Sequence, residues 1–162
     1  MSSPGPRSNP RETLAALLRD IRVQGLSCDV FGGWAEELLG LRKLWEHRDI
    51  DLTYQGDSLA AFDAITSGFS PVPLKRFHHK RAFLFRDVLC EILLIQDAES
   101  RPVTHYWGDV PFYWDQPLLH PDAVDVYGES VTVVSPENLR RHRREHRHTQ
   151  PDRWRDPKSL VP

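Results

Sequence analysis

The sequence CDVFGGWAEELLGLRKLWEHRDIDLTY, from Cys28 to Tyr54, decides the fold. Residues 28–31 predict a short strand, which Gly32 and Gly33 end because residues without a Cβ let the backbone turn sharply. Apolar residues recur at helical spacing after the glycines, so a helix is predicted to start directly behind them. A glycine turn that leads into a helix presents free backbone N–H groups, which suit a phosphate. By itself, a glycine pair before a helix is more often only a turn.

A second strand, residues 49–54, supplies the other half of the predicted site. Side chains alternate between the faces of a strand, so Asp49 and Asp51 project to one side while Ile50 and Leu52 enter a core. Two adjacent carboxylates repel each other unless a cation lies between them. Mg²⁺ prefers oxygen ligands and commonly retains phosphates and water in its shell. The stretch therefore combines a phosphate cradle with a metal-binding pair of carboxylates.

An Asp-x-Asp pair also occurs by chance, in calcium loops and in sugar-nucleotide sites. A calcium loop that began at Asp49 would need glycine at its sixth position and glutamate at its twelfth. Those positions hold Tyr54 and Ala60, so the calcium loop is excluded.

The segment 82–95 predicts a β-hairpin with a tight turn at residues 86–87. Its second strand, 88–95, is nearly all apolar and is therefore predicted to be central in a sheet. Glu91 interrupts that apolar run, and a buried carboxylate is costly without a partner. Two interpretations follow from the residues: Glu91 pairs with a cation such as Arg48, or it faces the Asp pair and completes a metal site.

The order and spacing of these residues resemble the nucleotidyltransferase superfamily, and in particular the aminoglycoside and lincosamide adenylyltransferase-like proteins. The motif GGWA is followed by Glu37-Leu38, by Gly40 and by HRDID, so the likeness extends from Gly32 to Asp51. It implies an α+β protein with the nucleotidyltransferase (polymerase beta-like) fold, in which a small mixed β-sheet is flanked by helices. It also implies a magnesium-dependent enzyme that transfers a nucleoside monophosphate from a nucleoside triphosphate.

The resemblance assigns roles to individual side chains. It implies that Asp49, Asp51 and Glu91 are the catalytic residues and the ligands of two Mg²⁺ ions, since the superfamily places a third carboxylate on a later strand. Asp is common at that third place, and Asp87 and Asp97 are the other candidates. The nucleotide-binding residues predicted on this basis are Gly32, Gly33, Trp34 and Arg48.

The length of 162 residues suits one domain with its own core. This domain is predicted at 9–149, between a disordered tail at 1–8 and a loosely ordered tail at 150–162. A net charge of −2 and a pI near 6.4 argue against a general nucleic-acid binder. No apolar run approaches a membrane span, and the N-terminus lacks the apolar core of a signal peptide. Cys28 and Cys90 lie in apolar strands, which indicates reduced thiols in a cytoplasmic protein.

Four other segments leave two interpretations open. The cations of 42–48 either meet a triphosphate or are solvated, and His47 among them is either a ligand or a structural hydrogen-bonding residue. The basic segment KRFHHKR, 75–81, indicates phosphate contact or a solvated edge. Residues 96–127 are predicted to be a loop whose aromatic side chains line an acceptor pocket or cover the sheet. The helix capped by Ser135 has an Arg/His-rich face that is solvated or guides a triphosphate or RNA.

Three element boundaries are also predicted. The first helix should begin with Asn9 as its N-cap and Pro10 in its first position. Asp57 is predicted to cap a helix over 58–66, and the last strand is predicted at 129–134.

We predict an enzyme that moves a nucleoside monophosphate from ATP, the expected donor, to a hydroxyl group of a small molecule or a macromolecule. The alternative is a nucleotide-binding or toxin–antitoxin-type interaction module with little turnover. This alternative arises because little chain follows the Ser135 helix, where the family often has a further helical portion. An RNA-binding protein, with steeply salt-dependent affinity, is a third hypothesis that the acidic balance disfavours.

Overall fold

The computed structural model describes residues 10–43, 47–65 and 69–149, except for the side chains of residues 147 and 148. The tails predicted at 1–8 and 150–162 lie outside the described residues, and so does the predicted N-cap Asn9.

A five-stranded mixed sheet is the centre of the fold. Its spatial order is β1-β2-β5-β4-β3, with β2 and β5 parallel and the other neighbours antiparallel. The predicted α+β class and the mixed sheet are therefore confirmed, and the apolar strand β5 is central as predicted. The strands are β1 (Asp29–Phe31), β2 (Asp49–Gln55), β3 (Ser70–Pro71), β4 (Lys80–Phe85) and β5 (Val88–Ile95).

The register of these strands follows from the alternation of their side chains. Ile50, Leu52, Cys90 and Ile92 have no exposed surface and form one buried face of β2 and β5. The opposite face carries the acidic residues of both strands. The turn between β4 and β5 consists of two residues in the left-handed region, Arg86 and Asp87 with φ of 50° and 63°, as a tight hairpin requires.

The described residues contain four helices, and the buried apolar side chains of these helices join the same core as the sheet. The first buries Leu14, Leu17 and Ile21 in the core, as its helical spacing predicts. Pro10 is its N-cap rather than its first helical residue. The helices are α1 (Arg11–Val23), α2 (Gly32–Leu38), α3 (Ala60–Asp63) and α4 (Pro136–Glu145), with 3₁₀ turns at Pro73–Lys75 and His146–Thr149.

Two of the predicted caps have opposite outcomes. The cap of α4 is confirmed, because Ser135 Oγ accepts a hydrogen bond from the Asn138 N–H at 3.4 Å. The cap at Asp57 is wrong: α3 spans only four residues, and Leu59 is its N-cap without a side-chain hydrogen bond. The Asp57 carbonyl instead accepts a hydrogen bond from the Gln96 side chain at 2.8 Å.

The segment 96–127 is not a loop, which corrects the prediction. It contains the hairpin of β6 (Val103–Tyr106) and β7 (Val110–Tyr113), followed by β8 (Val124–Val126), which pairs with β9 (Glu129–Val131). The predicted last strand is therefore shorter than 129–134. Within the described part of the chain, no helix is long and apolar enough to cross a membrane.

Candidate active site

The predicted carboxylates share one face of the sheet. Asp51 of β2 is the direct neighbour of Glu91 on the parallel strand β5. Side chains at paired positions of neighbouring strands project to the same side, and Asp49 lies two residues before Asp51 on that side. The structure therefore confirms the shared side of Asp49 and Asp51 that alternation predicts, and it places Glu91 on the same surface.

The diglycine bend lies directly against this surface. Gly32 has a φ of +64°, and a Cβ at this position would lie 2.6 Å from Asp51 Oδ2. Only glycine fits both the left-handed backbone and the close approach. The helix α2 begins at Gly32 itself rather than behind the glycine pair. The bend and the Asp strand thus form one site.

Burial and the neighbouring carboxylates both raise the pKa values of the two aspartates. Burial and, after it, the negative charges of Asp49 and Glu91 together raise the pKa of Asp51 to about 7. Burial and the charge of Glu91 also raise the pKa of Asp49. A cation bound to these oxygens would relieve the repulsion. The two aspartates therefore fit a hard divalent cation in both donor type and charge.

Glu91 has partners of a different kind. Lys75 Nζ donates to Glu91 Oε1 at 2.7 Å, and Lys80 Nζ donates to Glu91 Oε2 at 2.9 Å. Burial would raise the pKa of Glu91, but the two ammonium groups outweigh it and hold that pKa below its usual range. The cation that pairs with Glu91 is thus lysine rather than the predicted Arg48.

Among the described residues, no group of three or more His, Cys, Asp or Glu side chains is arranged closely enough to hold a metal ion. Each oxygen of Glu91 instead accepts a hydrogen bond from an ammonium group. The role of Glu91 as a third metal ligand stays a prediction, and so does the binding of two Mg²⁺ ions. Of the other acidic candidates, Asp87 and Asp97 lie in left-handed turns at the two ends of β5.

Two residues of the motif support the site from within the core. The indole of Trp34 is 4% exposed and packs against the ring of His47, with 4.2 Å between ring centroids. His47 Nε2 lies 3.1 Å from Glu37 Oε1, and both side chains are buried. The hydrogen-bonding interpretation of His47 thus has a specific partner, and the structure gives the Trp34 indole a packing role. Arg48 is exposed directly before Asp49.

A cavity of about 180 Å³ opens beside Asp51 and Glu91. Phe31, Tyr106 and His142 form its apolar and aromatic wall. Tyr106 of the β6–β7 hairpin therefore lines a cavity beside the carboxylates, and the role of this cavity as an acceptor pocket stays a prediction.

His142 fits neither interpretation of the Arg/His-rich face of α4, because its ring is buried among aromatic side chains. Its ring is parallel to that of Trp114 within 4°, and its Nε2 lies 2.7 Å from the Tyr106 hydroxyl. Burial and, after it, the neighbouring positive charges, that of His146 first, together lower the pKa of His142 to about 3. The imidazole is therefore neutral around pH 7 and belongs to the aromatic wall.

Two arginines of α4 are already engaged in ion pairs within the domain. Arg141 pairs with Asp115 at 2.7 Å, and Arg143 pairs with Glu36 of α2. These ion pairs connect α4 to the rest of the domain and reduce the positive charge available to an anion.

The basic segment 75–81 divides between two sides of the sheet. Lys75 and Lys80 bind Glu91, whereas Arg76 and Arg81 bind Asp63 at 2.7 and 2.9 Å. Only the lysines reach the carboxylate face. The sequence pattern did not distinguish these two lysines from the rest of the basic segment. In the structure, the register of β4 with β5 pairs Lys80 with Leu93, which lies on the same face as Glu91.

No protein-family model and no curated protein matches this chain in sequence. Solved structures do match its fold. A lincosamide antibiotic adenylyltransferase bound to lincomycin superposes with a TM-score of 0.61 at 14% identity, over 82% of this chain and 85% of that protein. The antibiotic-resistance factor ANT(2″)-Ia, in complex with adenylyl-2″-tobramycin, gives 0.58 at 21% identity, over 93% and 82%. An antigenic nucleotidyltransferase-like protein of Paracoccidioides brasiliensis gives 0.52 at 17% identity, over 93% and 71%.

These likenesses show the fold: the chain has the nucleotidyltransferase fold that its sequence predicts. The site described above lies within that fold, on the face where β2 and β5 run side by side.

Proposed function

We propose that this protein is a magnesium-dependent nucleotidyltransferase. It would transfer a nucleoside monophosphate from a nucleoside triphosphate, with ATP as the expected donor, to a hydroxyl group of an acceptor. The single observation that carries this proposal is the contact between the bend and the acidic strand, where Gly32 leaves no room for a Cβ beside Asp51 Oδ2. The bend predicted to bind phosphate and the carboxylate pair that suits Mg²⁺ are thus in direct contact.

The roles of the residues follow from their positions. Asp49 and Asp51 would hold Mg²⁺ with the triphosphate, and Gly32 and Gly33 would let the phosphates approach the backbone closely. When held there, Mg²⁺ would supply neutralisation of the phosphate charge during transfer. Glu91 would either complete the metal site or accept the proton of the acceptor hydroxyl, once its lysine partners are displaced.

The acceptor would enter the cavity that Phe31, Tyr106 and His142 enclose beside Asp51. Its volume of about 180 Å³ and its aromatic wall favour one ring or a small part of a larger molecule. The neighbours of known structure contain lincomycin and an adenylylated tobramycin, so a hydroxyl group of a small molecule is the first acceptor class to test.

A second function is favoured by one specific observation. Both oxygens of Glu91 are engaged by lysines, which leaves the third carboxylate less suited to bind a metal or to accept a proton. A nucleotide-binding module with little turnover, including a toxin–antitoxin-type interaction module, would retain the aspartates and the bend but not require Glu91.

Pyrophosphate release distinguishes these two functions. The purified protein is incubated with each of the four nucleoside triphosphates, Mg²⁺ and candidate acceptors, beginning with lincomycin and tobramycin. A transferase releases pyrophosphate only when the acceptor is present, and Asp49→Asn and Asp51→Asn abolish the release. Magnesium-dependent nucleotide binding without release over a broad acceptor set would support the module. Release that survives both substitutions would reject the site.

A further inference from the structure

The lysine pair on Glu91 is not explained by the proposed chemistry of the carboxylates. Lys75 and Lys80 approach opposite oxygens of Glu91 at 2.7 and 2.9 Å. Lys80 also lines the cavity beside Asp51. Two cations therefore border the carboxylate face on which the triphosphate is proposed to bind, and both are bound to Glu91 of that face.

A triphosphate needs positive charge that the aspartates do not supply. Asp49, Asp51 and Glu91 place three carboxyl groups on one surface, and their mutual repulsion extends to any further anion. The two ammonium groups act over the whole set, because Lys75 and Lys80 both lower the pKa values of Asp49 and Asp51. They are thus placed to attract a polyanion to this surface.

Accessibility supports exchange of the lysines between partners. The Lys75 side chain is 44% exposed and the Lys80 side chain 26%, whereas Glu91 is only 14% exposed. An ammonium group is a compact point charge on a flexible stem, so it can leave one anion for another. Lys75 ends a 3₁₀ turn outside the sheet, while Lys80 begins strand β4. Lys75 is therefore the freer of the two and Lys80 the fixed one.

We propose that Lys75 and Lys80 are the polyphosphate-binding cations of this site, and that Glu91 holds them until a triphosphate takes its place. This inference rests on the proposed function and names the residues that recognise its anionic substrate. The neighbouring arginines do not share the role, since Arg76 and Arg81 bind Asp63. When the nucleotide binds, the exchange also frees Glu91 to complete the metal site or to accept the proton of the acceptor hydroxyl.

The test is a calorimetric titration with inorganic tripolyphosphate without Mg²⁺, followed by ATP with Mg²⁺. The variants are Lys75→Met, Lys80→Met and Glu91→Gln, with Arg22→Met of α1 as a control that removes one positive charge beside Glu129. Each lysine variant should bind tripolyphosphate more weakly by on the order of tenfold, because a charged hydrogen bond is lost. Glu91→Gln should bind it more tightly than the wild type, since the lysines are released. Arg22→Met should behave as the wild type.

The test remains valid even if Lys80→Met destabilises the protein. The double variant Lys80→Met with Glu91→Gln removes both members of the pair and leaves no unpaired carboxylate. It should bind tripolyphosphate more weakly than Glu91→Gln alone, and circular dichroism and urea unfolding verify that each variant is folded.

Two results would overturn the inference: lysine variants that bind as Arg22→Met does, or Glu91→Gln with no gain in affinity. These failures are distinguishable from failure of the proposed function. If ATP binding requires Mg²⁺ and Asp51 while the lysine variants bind normally, the nucleotide site stands and the lysine assignment is wrong. If the lysines control tripolyphosphate binding while no magnesium-dependent ATP binding occurs, the anion site stands and the nucleotidyltransferase proposal is wrong.

Discussion

Gly32→Ala should destabilise the protein more than an equally strained glycine substitution in open space, and Gly40 provides that comparison. Gly32 and Gly40 have φ of +64° and +69°, so an alanine is strained in the left-handed region at both positions. That strain costs roughly 1–2 kcal/mol. At Gly40 no atom lies within 4 Å of the added Cβ, whereas at Gly32 the Cβ would lie 2.6 Å from Asp51 Oδ2. Forcing an extra carbon into a packed site costs roughly 1–3 kcal/mol more.

The expected free energies of unfolding follow directly. Gly40→Ala should lose about 1–2 kcal/mol and Gly32→Ala about 2–5 kcal/mol. For a domain of this size, 1 kcal/mol corresponds to roughly 2–4 °C in Tm. Urea unfolding followed by tryptophan fluorescence measures the stability of both variants. Asp51→Ala in the Gly32→Ala background removes the clashing oxygen, so the stability losses of the two substitutions should be non-additive. If the two glycine variants lose equal stability, the bend does not contact Asp51 and the site as described is wrong.

Three further predictions concern groups whose charge or hydrogen bonding the structure fixes. The folded-state pKa of Asp51 is raised from 3.8 to about 7, so the metal-free protein should lose stability as the pH rises from 4 to 7. The Asp51→Asn variant should not show this loss, and at pH 8 it should be more stable than the wild type by on the order of 2–4 kcal/mol. Urea unfolding without Mg²⁺ measures it, and equal stability of the two proteins at pH 8 would refute it. Burial lowers the pKa of His142 to about 3, so the stability that depends on its neutral form is present above pH 6.5 and is lost as the pH falls below that value. His142→Phe should flatten the acid limb of the stability curve, and an unchanged limb would contradict the buried neutral imidazole. Ser135→Ala should lose about 1 kcal/mol of unfolding free energy through the missing N-cap, and no change in the urea midpoint would contradict that cap.

The acidic face could be predicted from the sequence because it depends on strand alternation alone. Asp49 and Asp51 share a face in any regular strand, and the apolar run around Glu91 identifies a central strand that must lie beside another. The parallel pairing of Asp51 with Glu91 completes the argument. The glycine bend was predictable as a turn, but its contact with Asp51 depends on how the strands β1 and β2 pair.

Other features depend on tertiary packing that no local pattern encodes. The partners of Glu91 are two long side chains, one of them on a short 3₁₀ turn, so their position follows from where β4 docks. His142 belongs to an arginine-rich helix, which favours a solvated face by composition, yet the β6–β7 hairpin brings Trp114 and Tyr106 against it. That hairpin itself has four-residue strands with a proline in β7, too short to stand out from a loop.

The most direct test of the central claim is the calorimetric titration of ATP with Mg²⁺ into the wild type and into Asp51→Asn, with the fold of both proteins verified by circular dichroism. The account predicts that the wild type binds ATP only with Mg²⁺ and that Asp51→Asn remains folded and loses this binding. Equal affinities of the two proteins, or binding by the wild type that is independent of Mg²⁺, would contradict it.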